Sequence, residues 1–442
     1  MFAYSWPTRH SGFRPLTRAR VLCVSLCGLL VALPPAIARA QMAPTGTAEA
    51  SLSFDRALTL AQERAASVVA REASLASARF EQIAAGQLPD PRLTLGIDNL
   101  PVSGPDAYTL TRDFMTMRRM GVMQDVPNAA KRLAQGELAQ ARTDREQAML
   151  HVENLTVKRE AAVAWLALYY ATRRLDAFAK VEYENHILLD TANARVSNGQ
   201  LTPPDVLTAR QEAVLLADRH DELDRDVRKA RAALQRWVGP IAQAPLAGAP
   251  PAWAQSAELA RAQVAHHAEL AVYPPMKRMA MAESQEAQAA QRGDWGWELV
   301  YSKRGRTFGD MVSFQFSFDL PFWQGSRQIP KAQARQMDLA SVEAQERDMR
   351  RRHEAETESQ LAELAAIERT HDRLVHLGLP LARQRADLML ASYQAGRADL
   401  GSVISARRDL AEQGLRAIDL QAQSAALHAQ LTYVSDDDKD PS

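Results

Sequence analysis

The sequence contains only two cysteines, Cys23 and Cys27, and both lie in one apolar stretch near the N-terminus, Val21–Leu33. Arginines precede this stretch, and the small-residue site Ala38-Arg39-Ala40 follows it. That order of basic, apolar and small residues is typical of a secretory signal peptide, so residues 1–40 are predicted to be removed. The mature chain would then have no cysteine, which excludes disulfides and thiolate metal sites.

Long apolar runs are also missing after residue 40, where no stretch reaches the ~18 consecutive apolar residues that a membrane-spanning helix needs. The charges balance, with 53 Lys plus Arg against 53 Asp plus Glu, so net charge gives no indication of nucleic-acid binding. There is no phosphate-binding loop, nucleophile elbow or metalloprotease His/Glu pair. The pair His266-His267, without carboxylates nearby on a helical pattern, is interpreted as structural. We therefore expect a non-enzymatic protein without a cofactor.

What the sequence does contain is a duplication. The segment Asn198–Arg210 shares its glycine, its valine, the following aliphatic residue, its alanine and its arginine with Ala395–Arg407, at an offset of 197 positions. A second pair lies upstream, where Gln124–Asn128 matches Phe318–Phe322 at an offset of 194 positions. Because the two pairs occur in the same order at almost the same separation, they predict two copies of one structural unit.

Long helices are predicted from the spacing of apolar residues. Alternating steps of three and four follow both tip segments and also run from Ala134 to Tyr169. This spacing is typical of a coiled-coil seam. From Asn128 to Val196 the chain has no proline and one glycine, so a continuous helix of about 100 Å is predicted at ~1.5 Å per residue. Such a helix needs long partner helices, from its own chain or from other copies.

Two short segments ahead of each long helix follow a period of two. Aromatic and polar residues alternate in 295–320, and the pair at 92–126 shows the same pattern more faintly. This alternation is typical of membrane β-strands with one lipid-facing side and one wet side. The predicted lipid-facing residues are Trp295, Trp297, Tyr301, Phe314, Phe316 and Phe318. A half-buried hairpin of a soluble protein is the alternative interpretation.

Four strands cannot close a barrel, and open sheet edges are excluded from lipid, so transmembrane strands would require several copies around one axis. The predicted fold class is mainly α with a small β part and an internal two-fold repeat. Long antiparallel coiled-coil helices would make up the α part, and four transmembrane strands per chain would join a β-barrel shared between copies. The predicted units are the signal peptide (1–40), repeat 1 (41–238, tip near 199–205), a proline-rich linker (239–252), repeat 2 (253–434, tip near 396–402) and an acidic disordered tail (435–442).

The phrase Gly121–Arg132, the segment Pro89-Asp90-Pro91 before a strand and the two glycine-containing tips resemble the TolC-like outer-membrane efflux proteins. The likeness covers about residues 50–434, and the strands are most similar to the branch that serves heavy-metal efflux pumps. The resemblance implies a homotrimer whose strands share one barrel in outer-membrane lipid and whose long helices form an α-barrel that projects into the periplasm. It also implies passive conduction of substrate, with a periplasmic adaptor and an inner-membrane pump as partners.

The same resemblance implies roles for residues at the two tips. The implied tip and gating residues are Gly199, Asp205, Tyr393, Gly396, Arg397 and Asp399, with Asp205 and Tyr393 pairing in the closed state. The implied residues near the adaptor contact are Val206, Leu207, Val403 and Ile404. Ser402 and Ser405 stand where some relatives have aspartates, which puts an aspartate cation filter in doubt, although Asp399 could supply a charge nearby.

Methionines give a hint about the substrate. Met115, Met117 and Met123 are predicted to share the lumenal face of a strand, and thioethers favour Cu(I) or Ag(I). The alternative is that they are flexible apolar fillers, and no dedicated metal site is predicted. Heavy-metal cations are the predicted substrate, with drug efflux and type I protein secretion as alternatives. A periplasmic coiled-coil adaptor or scaffold would share the helices, but it would not need two aromatic hairpins at matching points of a duplication.

Overall fold

The computed structural model describes residues 51–197, 203–253 and 256–435. The helices are α1 (Phe54–Arg64), α2 (Ala66–Ala84), α3 (Ala129–Ser197), α4 (Pro203–Val238), α5 (Ala257–Gln263), α6 (Tyr273–Ala289), α7 (Gln328–Arg373), α8 (Leu379–Gln394) and α9 (Leu400–Thr432). The strands are β1 (Leu52–Ser53), β2 (Arg92–Asp98), β3 (Met117–Val126), β4 (Leu246–Ala247), β5 (Trp295–Lys303) and β6 (Met311–Phe318). The predicted signal peptide lies outside the described residues, as does the predicted tail from residue 436 onward.

The fold is mainly helical with a small sheet, as predicted. Each half of the described chain contains short helices, a strand pair and a long helical hairpin in the same order. The hairpin of the first half is α3 and α4, and α3 runs without interruption for 69 residues, or about 100 Å. The predicted long helix is therefore confirmed. No helix in the described ranges is both long enough and apolar enough to cross a membrane.

The long helix of the second half contains a widened turn that its counterpart lacks. The α7 helix passes through a π-helical turn, Leu374–Gly378, directly into α8, which has Pro380 in its first turn. Proline has no backbone N–H to donate, and its ring clashes with the carbonyl four residues before it. A turn with more residues gives that ring room, so the helical run continues through the proline.

The strands of the two halves form one sheet. Its order is β2-β3-β5-β6, and every neighbouring pair is antiparallel. The junction between the halves is the β3–β5 pair, which runs from Val126 opposite Trp295 to Arg118 opposite Lys303. This register places the predicted aromatic residues of β5 and β6 on one face, because Trp297 lies opposite Phe316.

The largest core cluster surrounds Trp165 on α3. The indole is fully buried, its Nε1 donates a hydrogen bond to the backbone oxygen of Leu52 at 3.2 Å, and Phe54 packs edge-on against it at 5.3 Å. Leu234 from α4 and Ala429 from α9 belong to the same cluster. Helices of both halves therefore share one core.

The connector between the halves, 239–252, was predicted as a linker along the outside of the chain. In the structure it forms a 3-10 turn, Gly239–Gln243, and then β4, which pairs in parallel with β1. Directly after it, Trp253 packs against Phe54 and stacks on His428 at 5.9 Å. The connector is thus packed against elements at both ends of the described chain.

Candidate functional site: the exposed sheet and the helical tips

One face of the four-stranded sheet is apolar and exposed. Leu95, Val312 and Phe318 expose 71%, 70% and 66% of their surface, and Phe314 and Phe316 expose more than half. The register places these large side chains on this face: Leu93, Leu95, Ile97, Met120, Val122, Trp295, Trp297, Leu299, Tyr301, Val312, Phe314, Phe316 and Phe318. All six predicted lipid-facing residues are in this set. A face of this size and composition is costly in water, so it needs a cover such as lipid or protein.

The sheet also has two open edges. Strands β2 and β6 each pair with a single neighbour within the described part of the chain. Their outer N–H and C=O groups would have no partners in a hydrocarbon environment, and the cost of leaving them unpaired is large. A sheet that enters lipid must therefore pair these edges with other strands.

The opposite face of the sheet is polar and held together by charges. Arg119 donates a hydrogen bond to Glu298 at 2.8 Å and lies 3.6 Å from Asp98, while Thr94 donates to the same Glu298 oxygen at 3.2 Å. Gly121 leaves the room that this cluster needs. A Cβ at that position would lie 2.7 Å from the Thr94 hydroxyl oxygen and 3.2 Å from Glu298 Oε1.

The segment at the strand-to-helix junction has a clear structural role within this chain. Asn128 Oδ1 accepts a hydrogen bond from the backbone N–H of Lys131 and so caps α3, and its amide donates to the backbone oxygens of Ala289 and Arg292. Lys131 Nζ lies 2.8 Å from Asp294 Oδ2. Burial opposes ionisation of Asp294, but hydrogen bonds from Lys131 and Asn128 outweigh it and lower the pKa of the carboxyl group. The junction therefore joins the two halves next to the sheet.

The second predicted tip is a well-formed helix end. Gly396 has a φ of +70°, its N–H donates to the Tyr393 oxygen, and the Arg397 N–H donates to the Ser392 oxygen at 2.9 Å. These two bonds are those of a Schellman motif, which requires the left-handed conformation at its glycine. Asp399 then caps α9 by accepting from Ser402, and hydrogen bonds from the Ser402 backbone and hydroxyl lower its pKa.

The two hairpins meet next to this tip. Val206, Ala209, Leu400 and Ile404 form a buried cluster, and Tyr393 packs against it. Four residues are implied to lie near the adaptor contact. Val206, Val403 and Ile404 are buried within the single chain, whereas Leu207 is 58% exposed. Gly199 and the side chain of Asp205 lie outside the described part of the chain, so the implied pairing of Asp205 with Tyr393 stays a prediction.

An ion pair joins the same two hairpins further from the tip. Glu212 on α4 is almost fully buried and lies 3.5 Å from Arg408 on α9. Burial raises the pKa of Glu212, Arg408 lowers it and Glu412 raises it, with a net upward shift. A second cation, Arg174 on α3, contacts both Asp226 on α4 and Asp419 on α9, at 3.1 and 2.6 Å. Nothing in the sequence indicates these contacts, because the paired residues lie on different helices and far apart along the chain.

The predicted arrangement of methionines is wrong in one respect. Met115 lies before β3, in a turn where its backbone N–H donates to Asp113 Oδ1 at 2.8 Å, so it does not share the strand face. Met117 and Met123 are on the polar face, opposite Asp98 and Glu298. They are six residues apart on one strand, or about 20 Å, so they cannot share an ion within one chain.

The pair His266-His267 also differs from its interpretation. The structure brings His267 against Glu269 and against His353 of α7, so a carboxylate does lie nearby, two residues further along the chain. His266 and His267 end one 3-10 turn and cap the next, rather than lying on one α-helix. The contact with His353 joins residues 86 positions apart, which no local spacing indicates.

The fold can be compared with solved structures. A membrane protein from Pseudomonas aeruginosa matches 88% of this chain and 93% of its own, with a TM-score of 0.75 and 15% identity. The outer membrane protein VceC from Vibrio cholerae matches 86% and 94%, with a TM-score of 0.72 and 16% identity. The CmeC outer membrane channel of Campylobacter jejuni matches 86% and 85%, with a TM-score of 0.74 and 9% identity. These proteins are described as membrane proteins or channels and not as enzymes, and at these identities the likeness is one of fold.

No family model matches the sequence. A comparison with curated proteins likewise finds no match.

Proposed function

We propose that this chain is the outer-membrane channel component of a tripartite efflux system and conducts its substrate passively to the exterior. The observation that carries this proposal is the sheet. It has an exposed apolar face, a charged opposite face and two open edges, and it continues into a helix of about 100 Å. The apolar face suits lipid, and the charged face suits a water-filled lumen. The likeness in fold to outer membrane channels supports the same function.

A homotrimer is the assembly that we propose. The strands of one chain alternate in direction, so β6 of one copy can pair antiparallel with β2 of the next all the way round a ring. Three copies would supply twelve strands, enough for closure, whereas a single chain supplies four. The helices support this too, because α7 has 46 residues and buries only Ala332, His353, Leu364 and Ile367 within its own chain. Its other apolar side chains are available to neighbouring copies.

The tips are the proposed site of docking and gating. We propose that a periplasmic adaptor contacts the tip helices through exposed side chains such as Leu207, and that an inner-membrane pump supplies the energy. The buried tip residues Val206, Val403 and Ile404 would hold the two hairpins together rather than contact a partner directly. Tyr393 and Asp205 would take part in closing the tip, with Arg397 and Asp399 as the charged groups beside it.

The channel proposal is tested with purified full-length protein in detergent and in planar lipid bilayers. We expect a protein mass of three chains by light scattering, and discrete ion-conducting steps after reconstitution. A monomer that stays dispersed without detergent and gives no conductance would overturn the proposal. A trimer without conductance in any condition would support the assembly and reject the channel.

For the substrate we propose heavy-metal cations, on the strength of the strand resemblance and of Met117 and Met123 on the polar face. A deletion strain is challenged with copper, silver, zinc, cobalt and a panel of organic antibiotics, with the restored gene as the control. We expect greater sensitivity to the metals. Sensitivity confined to antibiotics, or a loss of protein secretion alone, would reject this substrate class and leave the channel proposal intact.

A further inference from the structure

We propose that His267, Glu269 and His353 form a binding site for one divalent zinc ion per chain, away from the sheet and the tips. His267 caps the 3-10 turn Ala268–Val272, which carries Glu269, and His353 lies on α7. One ligand atom from each residue lies within 4.8 Å of the other two. Within the described ranges, this is the one group of three or more His, Cys, Asp or Glu side chains that meets this condition. The inference does not depend on the proposed channel function.

His353 provides a buried nitrogen atom that has no hydrogen bond. The residue is 7% exposed, and its Nε2 atom is buried without a hydrogen-bond partner. That nitrogen lies 3.2 Å from Glu269 Oε2, although the two atoms do not form a hydrogen bond. An unsatisfied buried nitrogen is uncommon in folded proteins and calls for an explanation. A metal ion between the imidazole nitrogen and the carboxylate would satisfy both.

His267 lies directly against His353. The two rings stack with their centroids 3.6 Å apart and their planes 18° apart. The nitrogen lone pairs lie in the ring planes, so binding of one ion by both rings requires His267 to turn out of this stack. Nδ1 of His267 already acts as an acceptor, because it receives a 3.2 Å hydrogen bond from the Glu269 backbone N–H. A metal at Nδ1 would replace this long bond, and Nε2 would keep its proton.

The surroundings accept a cation and leave space for a further ligand. A cavity of about 450 Å³ adjoins the three residues, and the charged residues in its lining are Arg159, Glu160, Glu269, Arg352 and Glu356. Three carboxylates against two guanidinium groups leave a net negative charge. Two histidines with one carboxylate are a known ligand set for zinc, and such sites keep a fourth position for water.

The proposed ion would join two distant parts of the chain. It would hold the 3-10 turn before α6 against the middle of α7, next to Arg159 of α3. Binding to the folded state alone stabilises that state, and the stabilisation grows with the logarithm of the ratio of free ligand concentration to dissociation constant. The site would therefore act on the stability of the helical part, and conductance is not needed to detect it.

The test uses full-length protein without an affinity tag, treated with a chelator and then titrated with zinc chloride. We expect one zinc ion per chain by equilibrium dialysis with elemental analysis, and a rise in the unfolding temperature. Glu269→Gln and His353→Gln should each weaken binding by roughly tenfold or more. His371→Gln is the matched control, since His371 is a half-buried histidine beside Asp372 and Gln421 and away from this cluster.

The outcomes separate the possibilities. No bound zinc, or equal binding by wild type and both ligand variants, would overturn the site. A loss of binding in the His371→Gln control would show that general changes in the protein, and not these ligands, control binding. If His353→Gln fails to fold, Glu269→Gln decides the question, because it keeps the size of the side chain and removes its charge. Titrations with copper and nickel chloride under the same conditions measure whether zinc is preferred.

Discussion

At the scale of single residues, Gly396 occupies a position whose backbone angle favours glycine. Its φ of +70° belongs to the left-handed region, where an L side chain costs about 1–2 kcal/mol. We expect Gly396→Ala to lower the free energy of unfolding by about 1 kcal/mol, measured by denaturant titration in detergent. The control is Gly414→Ala, inside α9, where an added Cβ has no atom within 4 Å and alanine is the better helix former. Equal destabilisation by both substitutions would contradict the role of the Schellman turn.

Tyr393 is the residue through which the proposed gating can be tested. Its ring packs against the buried cluster of Val206, Leu400 and Ile404. If this packing closes the tip, Tyr393→Ala should increase single-channel conductance in planar bilayers, and Asp205→Ala should do the same. Tyr393→Phe keeps the ring and removes the hydroxyl group, so it separates packing from a hydrogen bond with Asp205. Unchanged conductance in all three variants would remove Tyr393 and Asp205 from the gate.

Roles of single residues were only partly predictable from the sequence. The aromatic residues of β5 and β6 lie on one exposed face, as the period of two indicates, because alternation depends on local geometry alone. Val403 is different. An apolar residue in a 3,4 pattern suits both a seam and a docking surface, and only the packing of α9 against its neighbours shows that it is buried. The contact of His267 with His353 likewise depends on tertiary packing, which spacing along the chain does not encode.

At the scale of elements, Asn128 connects the start of α3 to the other half of the chain. Asn128→Ala removes the cap and the hydrogen bonds that the two amide N–H groups share among Ala289, Arg292 and Asp294, so we expect a loss of about 2 kcal/mol in denaturant unfolding. Asn128→Ser keeps an oxygen that can accept from Lys131 N–H but loses the amide donors. It should recover about half of the loss. Full recovery by serine would mean that the junction contributes nothing beyond the cap.

The sheet permits a matched comparison of its two faces. Phe316 and Gln315 are neighbours on β6, and their side chains point to the apolar and the polar face respectively. If the apolar face meets lipid, Phe316→Arg should cost about 2–4 kcal/mol and sharply reduce the amount of trimer recovered from outer-membrane fractions. Gln315→Arg places the same charge on the wet face, where little loss is expected. A similar loss in both variants would indicate that neither face meets lipid.

Elements were more predictable than their irregularities. The absence of proline from Asn128 to Val196, together with the 3,4 spacing from Ala134 to Tyr169, predicts α3 almost to its ends, because helix propagation responds to these local properties. The π-helical turn at Leu374–Gly378 was not predicted, although Pro380 is a signal that the helix has to adjust there. A proline indicates where a helix is disturbed but not whether it ends, kinks or widens, since that depends on the helices packed around it.

At the scale of the whole molecule, the two hairpins of one chain are joined at several levels. Arg174 links α3 to α4 and α9, Glu212 pairs with Arg408, and an apolar cluster joins the hairpins at the tip. Opening the proposed channel at the tip then means moving one hairpin relative to the other. This motion has to separate the buried surface of the tip cluster while the links further from the tip stay in place. A covalent bond between the tips should therefore block opening without changing the proposed trimer.

Thr208 and Gly401 are suitable positions for such a bond. A Cβ at Gly401 would lie 3.9 Å from Thr208 Cγ2, which is close to the reach of a disulfide, and the two cysteines of the sequence lie within the predicted signal peptide. In the double variant Thr208→Cys with Gly401→Cys, we expect oxidation to lower adaptor-dependent resistance and maximal conductance, and a reductant to restore both. Each single-cysteine variant is the control and should not respond to oxidation. Normal conductance with the disulfide fully formed, as judged by mobility on a non-reducing gel, would mean that the two hairpins of a chain move together and that the tip opens between chains instead.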